Sequence, residues 1–141
     1  MANLLVAVDF SPLSRRALEY AVDFVTGTGR TIDLLHVAQD ALPAHAAAHA
    51  PADLLEQIRV KEDARVTAEL GEMWKLVPEV HRGQQIKRRG PAAETICEEA
   101  GKGYDLVVVS THGRTGLSQF FIGSVAERVV RLSPTPVLVV R

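Results

Sequence analysis

The sequence predicts an α/β fold in which a parallel, five-stranded sheet is covered by helices on both faces. Short runs rich in Val, Leu and Ile are apolar at every position, which is typical of strands buried on both faces. Segments with helical spacing separate these runs, and the order ends on a strand. Because parallel crossovers are right-handed, only a few doubly wound, Rossmann-like topologies remain. A length of 141 residues suits a single domain over residues 1–141.

Five extended segments make up the predicted sheet. Four of them are strongly apolar and about as long as a typical strand. They are Leu4 to Val8, Ile32 to Val37, Leu106 to Val109 and Val137 to Val140. The fifth, Glu79 to Lys87, has only Val80 and Ile86 as large apolar side chains. We therefore expect this segment at an edge of the sheet.

Four helices are predicted around the sheet. Ser11 is expected to cap the first, with Pro12 in its first turn, and Gly27 and Gly29 are expected to end it. The other helices are expected over Ala52 to Leu76, over Pro91 to Ala100 and from Ser124 onward. The stretch from Leu42 to Ala52 is rich in Ala, Pro and His, and we expect a mobile loop there.

Composition and charge argue against several classes of function. The formal net charge is −1, so no overall field attracts the chain to nucleic acid or to an anionic membrane. No apolar run approaches the roughly 20 residues that a membrane-spanning helix needs. The single cysteine, Cys97, allows no internal disulfide, and the N-terminus lacks the pattern of a signal peptide. We expect a cytoplasmic protein that binds neither nucleic acid nor membrane.

Polar and small residues follow two of the predicted strands. Ligands of doubly wound sheets bind at the carboxyl ends of the strands, where the strand order reverses. Asp9 comes directly after the first strand. The residues that follow Val109 of the fourth strand are Ser110, Thr111, His112, Gly113, Arg114, Thr115 and Gly116. Gly113 permits a turn with positive φ. Because both groups of residues lie at carboxyl ends of strands, we expect a ligand site there.

The start of the last helix has the features of an anion site. Ser124 is followed three residues later by Glu127, which is the pattern of a capping box. The first N–H groups of a helix have no partner within it and carry the positive end of its dipole, which suits phosphate. The Ser124 hydroxyl adds a donor, and Gly123 leaves space for phosphate oxygens. Asp9 can accept from ribose hydroxyls or an adenine amino group, and Val37 offers an aliphatic wall for the base.

These residues resemble a motif of the universal stress protein family, whose nucleotide-binding members carry G-x2-G-x9-G-[ST] after the fourth strand. The matching stretch here is Ser110-x2-Gly113-x9-Gly123-Ser124, so a serine replaces the first glycine. The resemblance extends over essentially the whole chain. Its other segments are Leu5-Val6-Ala7-Val8-Asp9, Leu34-Leu35-His36-Val37, Tyr104-Asp105-Leu106-Val107-Val108 and Pro136-Val137-Leu138-Val139-Val140.

The resemblance implies a fold of the adenine nucleotide alpha hydrolase-like type and a bound adenine nucleotide, ATP with Mg²⁺ or a relative of it. The implied binding residues, with two neighbours from the same turn, are Ala7, Asp9, Val37, Val109, Ser110, His112, Gly113, Arg114, Gly116, Gly123, Ser124 and Val125. It also implies a homodimer in which the fifth strands of two subunits meet. An apolar edge strand from Val137 to Val140 favours such pairing independently.

Some of these residues have a structural explanation beside the functional one. Asp9 can cap the helix that follows Ser11, and it can serve both purposes. Gly123 and Ser124 can form a plain helix start with no ligand. His112 can brace the backbone of its turn or contact the ligand, and the sequence leaves both alternatives open.

Other histidines and the cysteine are expected to be structural. His36 lies in a buried strand, so a hydrogen-bonded core position is favoured. Cys97 lies in an apolar helix and is expected to pack there. His45 and His49 can share a metal only if their stretch is helical, and no cysteine or nearby carboxylate pair completes such a site.

Three functions fit this pattern. A regulatory, nucleotide-binding protein of the stress response, with slow or no hydrolysis, is favoured, because no P-loop lysine and no second acidic residue beside Asp9 are present; Arg114 is the arginine nearest to the motif. The second is a dimeric interaction module that has lost nucleotide binding, for which Ser110 is the main argument. The third is an enzyme, either an ATPase or a nucleotidyl transferase.

Overall fold

The computed structural model describes residues 3–39, 42–112 and 122–141. Its strands form one parallel sheet in the order β3-β2-β1-β4-β5, which confirms the predicted fold class. The strands are β1 (Leu4–Ala7), β2 (Ile32–Ala38), β3 (Arg82–Arg89), β4 (Leu106–Ser110) and β5 (Val137–Val140). The helices are α1 (Pro12–Val25), α2 (Ala44–His49), α3 (Ala52–Trp74), α4 (Ala92–Ala100) and α5 (Ser124–Leu132). None of the helices in these ranges is long and apolar enough to cross a bilayer.

The sheet separates two layers of apolar side chains. On one face, α1 and α3 pack against alternate residues of the strands, including Val6, Leu34 and Val108. On the other face, α4 and α5 pack against the intervening residues, including Leu5 and Val107. The central strands are therefore buried on both sides, which explains why they are apolar at every position.

The weak fifth segment forms an edge strand, as predicted, but it begins later than expected. Glu79–His81 form a short 3-10 helix, closed by the backbone hydrogen bond from His81 N to the Pro78 carbonyl oxygen at 2.9 Å. The strand then runs over Arg82–Arg89, pairing only with β2 among the described residues. The 3-10 turn that follows Pro78 contains the first three residues of the segment that was predicted as a strand.

The predicted start of α1 is confirmed. The Ser11 hydroxyl accepts a hydrogen bond from Ser14 N at 3.1 Å, and Pro12 occupies the first helical position, where the missing N–H costs nothing. Gly27 follows the helix with φ at +79°, in the left-handed region that glycine adopts readily.

The expectation of a mobile loop from Leu42 to Ala52 is wrong, because Ala44–His49 form the short helix α2. Its first turn is closed by a hydrogen bond from Ala47 N to the Pro43 carbonyl oxygen at 2.9 Å. Alanine is the best helix former, and both Pro43 and Pro51 precede a helix instead of interrupting one. The two prolines therefore mark helix starts.

A buried carboxylate occupies an irregular position between β2 and β3. The pairing register of the two strands shifts between Ile32 and Leu34. Asp33, which is only 6% exposed, accepts a hydrogen bond from Gln84 N at 2.8 Å and another from the Tyr104 hydroxyl at 2.7 Å. A Cβ on Gly83 would lie 1.9 Å from the Asp33 carboxylate, so only glycine fits there. The side chain of Asp33 thus replaces a backbone acceptor of the ladder.

Removing the Tyr104 hydroxyl tests this network. We expect Tyr104→Phe to lower the free energy of unfolding by about 1–3 kcal/mol in urea denaturation, because one oxygen of a buried carboxylate loses its donor. Tyr20→Phe is the matched control, since that side chain is half exposed and its ring is retained. Equal stability of the Tyr104 variant and wild type would contradict the network.

Tyr104 also makes the stability of the fold depend on pH. Burial, followed by the hydrogen bond to Asp33, raises the pKa of Tyr104 above its ordinary value. A raised pKa in the folded state means that stability falls as pH rises above about 10, the ordinary value of tyrosine. We expect this loss in wild type and a shallower loss in Tyr104→Phe, measured by urea denaturation between neutral and alkaline pH.

Candidate functional site

The strand order reverses between β1 and β4, which places a crevice at their carboxyl ends. From β1 the chain builds β2 and β3 on one side, and it then returns to build β4 and β5 on the other. Crevices of this kind are where doubly wound sheets bind ligands. Ala7, Val37 and Val109 all pack on the α4 and α5 side of the sheet. Three of the predicted site residues therefore lie on one face, from three neighbouring strands.

Asp9 lies at the mouth of this crevice, two residues beyond the end of β1. Its carboxylate accepts a hydrogen bond from Ser11 N at 3.0 Å, and its own N–H donates to the Ser14 hydroxyl at 3.3 Å. The side chain is half-buried. Asp9 thus does not cap α1 itself, since the cap is Ser11, but it holds the N–H of that cap residue. It stands at the strand end where a ligand role was predicted.

Thr111 joins the end of β4 to two other elements. Its N–H donates to the Val140 carbonyl oxygen of β5 at 2.8 Å, and its carbonyl oxygen accepts from Gly123 N at 2.5 Å. The Ser110 hydroxyl donates to the His112 carbonyl oxygen at 3.1 Å. The turn after β4 is therefore tied to the last strand, to the start of α5 and to itself. No local pattern in the sequence predicts this role of Thr111, because it depends on the three-dimensional approach of Gly123.

His112 is buried at the end of the described part of this turn. Its Nδ1 is hydrogen-bonded to the Thr111 hydroxyl at 3.0 Å. The residue is only 9% exposed. Its Nε2 is buried, yet it has no hydrogen-bond partner among the described residues. Buried polar atoms without a partner are rare in native proteins and point to a role such as ligand binding.

The last helix begins at Ser124, as predicted, but the expected capping box does not form. The residue in the cap position is Gly123, and no side chain within the described ranges caps the helix. Glu127 N donates to the Gly123 carbonyl oxygen at 3.0 Å, while the Glu127 side chain pairs with Arg131. With glycine as the cap, the backbone N–H groups of Ser124, Val125 and Ala126 donate to no acceptor among the described residues. These are the donors expected at a helix start that faces an anion.

Gly123 is required by the protein chain itself. A Cβ at this position would lie 2.7 Å from the Thr111 carbonyl oxygen and 3.5 Å from the His112 Cα. The sequence explained this glycine by the space that a phosphate needs. The structure supplies a different reason, which is the close approach of α5 to the backbone after β4.

An exposed ion pair joins α4 and α5. Arg128 of α5 pairs with Glu94 in the first turn of α4. A backbone N–H at the start of α4 lowers the pKa of Glu94, and Arg128 lowers it further. Cys97, on the same helix, is partly buried and packs against the core of this face, as expected.

Some predicted residues are placed elsewhere or are not described. Gly113, Arg114 and Gly116 lie outside the described residues. His36 is a hydrogen-bonded core residue, as expected, with its Nδ1–H donating to the Val8 carbonyl oxygen at 2.8 Å. His45 and His49 do lie one turn apart on α2, but no group of three or more potential metal-ligating side chains occurs within residues 3–39, 42–112 and 122–141.

Comparison with known proteins identifies the family. The model of the universal stress protein family matches residues 1–141. The chain belongs to the universal stress protein family. It is 31% identical over 147 residues to the universal stress protein YxiE of Bacillus subtilis, covering 99% of this chain and 98% of YxiE. It is 33% identical over 141 residues to a universal stress protein of Mycolicibacterium smegmatis, of which it spans 45%.

Solved structures of similar proteins share the fold. The protein MJ0577 of Methanocaldococcus jannaschii superposes with a TM-score of 0.84 at 26% identity, covering 99% of this chain and 94% of that one. UspA of Lactobacillus plantarum superposes with a TM-score of 0.83 at 24% identity, covering 99% and 97%. Two other universal stress protein structures hold adenine nucleotides: one, at 22% identity and TM-score 0.68, is a complex with cAMP, and the other, from Archaeoglobus fulgidus at 18% and 0.64, is a complex with dAMP.

Substitution of Gly123 tests the contact between α5 and the turn after β4. We expect Gly123→Ala to lower the free energy of unfolding by about 1–3 kcal/mol in urea denaturation, because the new Cβ displaces the Thr111 carbonyl. The control is Gly71→Ala in α3, where nothing lies within 4 Å of the added Cβ. That variant should be more stable than wild type by about 0.5–1 kcal/mol. A Gly123→Ala protein as stable as wild type would show that the approach is looser than described.

Proposed function

We propose that this universal stress protein binds ATP, or another adenine nucleotide, together with Mg²⁺ at the crevice between β1 and β4. Whether a nucleotide occupies this site determines how the protein acts in stress response and signalling. The observation that carries this proposal is the buried Nε2 of His112, which has no hydrogen-bond partner among the described residues. The Cα of His112 lies against Gly123, the residue before α5, and the first three backbone N–H groups of that helix donate to no acceptor in the described part of the chain.

The phosphates are assigned to the start of α5. The N–H groups of Ser124, Val125 and Ala126 carry the positive end of the helix dipole, which stabilises negative charge within the first turn. The Ser124 hydroxyl is exposed and adds a donor. His112 lies against this helix start, since its Cα is 3.5 Å from the position of a Cβ on Gly123. A phosphate oxygen there would give these donors their missing acceptor.

The nucleoside is assigned to the strand ends on the same side of the sheet. Ala7, Val37 and Val109 supply apolar surface for the base, and Asp9 supplies a carboxylate for the ribose hydroxyls or the adenine amino group. Ser110 belongs to the site through its turn, and Gly113, Arg114 and Gly116 are included by their place in the motif. The relatives that hold cAMP and dAMP support an adenine nucleotide as the ligand class.

The proposed role is regulatory, in the cytoplasm, with the whole chain acting as one domain. We assign no residue to the activation of a water molecule or to the stabilisation of a transition state. A second candidate is an interaction module of the same fold that binds no nucleotide. Ser110 favours that candidate, since its Cβ occupies a position where the family motif carries glycine.

Calorimetric titration tests the binding proposal. Purified protein titrated with ATP in the presence of MgCl₂ should release or absorb heat with saturable, one-site behaviour, and a hundredfold excess over the dissociation constant should stabilise the fold by about 2.7 kcal/mol. Adenosine, which lacks phosphate, and inorganic triphosphate, which lacks the base, should each bind more weakly than ATP. No binding of ATP or AMP at millimolar concentration would contradict the proposal and favour the interaction module.

We also propose a homodimer through β5. The strand pairs only with β4 among the described residues, and Val137, Leu138 and Val139 remain partly exposed. The carbonyl oxygens of Pro136 and Val140 accept hydrogen bonds from Val107 of β4 and from Thr111, just after it. The backbone groups of Val137 and Val139 therefore point to the outer edge. An apolar, unpaired edge of this kind favours pairing with a second copy.

Proline at the outer edge tests the dimer. Val139→Pro removes an outward N–H without removing a hydrogen bond to β4, so it should convert dimer to monomer in sedimentation velocity. Circular dichroism controls for retention of the fold. A folded variant that sediments like a dimeric wild type would contradict pairing through this edge.

A further inference from the structure

We infer that Ser110 is a positioning residue of the nucleotide site, whose hydroxyl holds the turn after β4 in the shape that the site needs. This inference rests on the proposed nucleotide function. Its basis is the hydrogen bond from the Ser110 hydroxyl to the His112 carbonyl oxygen at 3.1 Å. The serine at the first motif position is therefore a substitute for glycine that supports binding, and it does not mark a lost site.

The backbone groups of Ser110 and Thr111 are held by other elements of the fold. Ser110 is the last residue of β4 and pairs with Val140 of β5. Thr111 N donates to Val140, and the Thr111 carbonyl oxygen accepts from Gly123 N. The next peptide carbonyl, that of His112, is held by Ser110. The carbonyls of Thr111 and His112 thus both have a donor, and the Ser110 hydroxyl closes a loop of backbone from Ser110 to His112.

The effect reaches the site through the ring of His112. Thr111 holds Nδ1 of this ring at 3.0 Å, which leaves Nε2 as the atom with no partner among the described residues. The position of the ring depends on the backbone angles of Thr111 and on the φ angle of His112, which this closed loop restricts. Ser110 acts on the ring through this restriction, and because its hydroxyl donates to the protein's own carbonyl it needs no contact with the ligand.

A serine and a glycine at position 110 affect the backbone of the turn in different ways. Glycine leaves out the Cβ, but it also gives the unfolded chain more conformations that folding must remove. Serine restricts the backbone and adds one hydrogen bond, while its Cβ sits at the half-buried end of β4. A net hydrogen bond changes an equilibrium constant by about two- to tenfold, which is the size of effect expected here.

Three variants and a matched control test the inference. The variants are Ser110→Ala, which removes the hydroxyl, Ser110→Gly, which also frees the backbone, and Ser110→Thr, which retains a hydroxyl. The control is Ser133→Ala. Ser133 is half-buried and donates to the Thr135 carbonyl oxygen at 2.7 Å, with the same separation of two residues, but it lies beyond the other end of α5. Each protein is titrated with ATP and MgCl₂ by calorimetry, and its ligand-free melting temperature is measured.

The expected result separates positioning from simple stabilisation. Ser110→Ala and Ser110→Gly should bind ATP about two- to tenfold more weakly, and Ser110→Thr should stay within about twofold of wild type. Ser133→Ala should lower the melting temperature with unchanged affinity. If Ser110→Ala lowers the melting temperature in the same way and keeps the wild-type affinity, the inference is overturned while the proposed function stands.

Two other outcomes would also overturn it. Tighter binding by Ser110→Gly than by wild type would show that the serine obstructs the site. Absence of binding in wild type and in every Ser110 variant would overturn the proposed function, and the positioning role would fall with it. Affinity that falls in Ser110→Ala and returns in Ser110→Thr supports the inference.

Discussion

The backbone N–H and carbonyl of Thr111 connect the last strand, β5, to the start of the last helix, α5. One hydrogen bond joins them to Val140 in the last strand, and the other joins them to Gly123 at the start of the last helix. No side chain of the described residues caps α5, so the contact between Thr111 and Gly123 helps to set where its first turn begins. The position of the helix dipole relative to β1 and β4 therefore depends on a backbone approach that only glycine at position 123 allows.

The buried Nε2 of His112 is a stronger indication of a ligand than the N–H groups at the start of α5 are. Ser124 and Val125 lie on the surface, so water can accept from their N–H groups at little cost. His112 is different, because its Nε2 is buried from solvent and has no partner among the described residues. A buried polar atom left unpaired costs on the order of 1–3 kcal/mol. The imidazole, more than the helix start alone, is the feature that a plain structural explanation of this turn leaves unexplained.

The sequence predicted the sheet well because burial on both faces leaves a local trace, an unbroken apolar run. It also predicted the start of α1, where Ser11 and Pro12 act on neighbouring residues. It failed where the cause is distant in the chain. The cap of α5 is Gly123 and not Ser124, and the reason for that glycine lies in Thr111, twelve residues earlier. The role of Asp33 depends on Gln84 and Tyr104, which no local pattern connects to it.

The placement of Asp9 depends on the opposite face of the sheet. Phe10, the residue after it, has φ at 66°, a left-handed conformation that is strained for an aromatic residue. Its ring stacks on His36 at a centroid distance of 4.4 Å, and His36 also donates to the Val8 carbonyl oxygen at 2.8 Å. One core histidine therefore holds the residues on both sides of Asp9. Since α1 begins at Pro12, this sharp turn lets the chain leave β1 toward the α1 face while Asp9 remains at the carboxyl end of the strand. The strain at Phe10 is thus stabilised by packing on one face and keeps a carboxylate at the crevice.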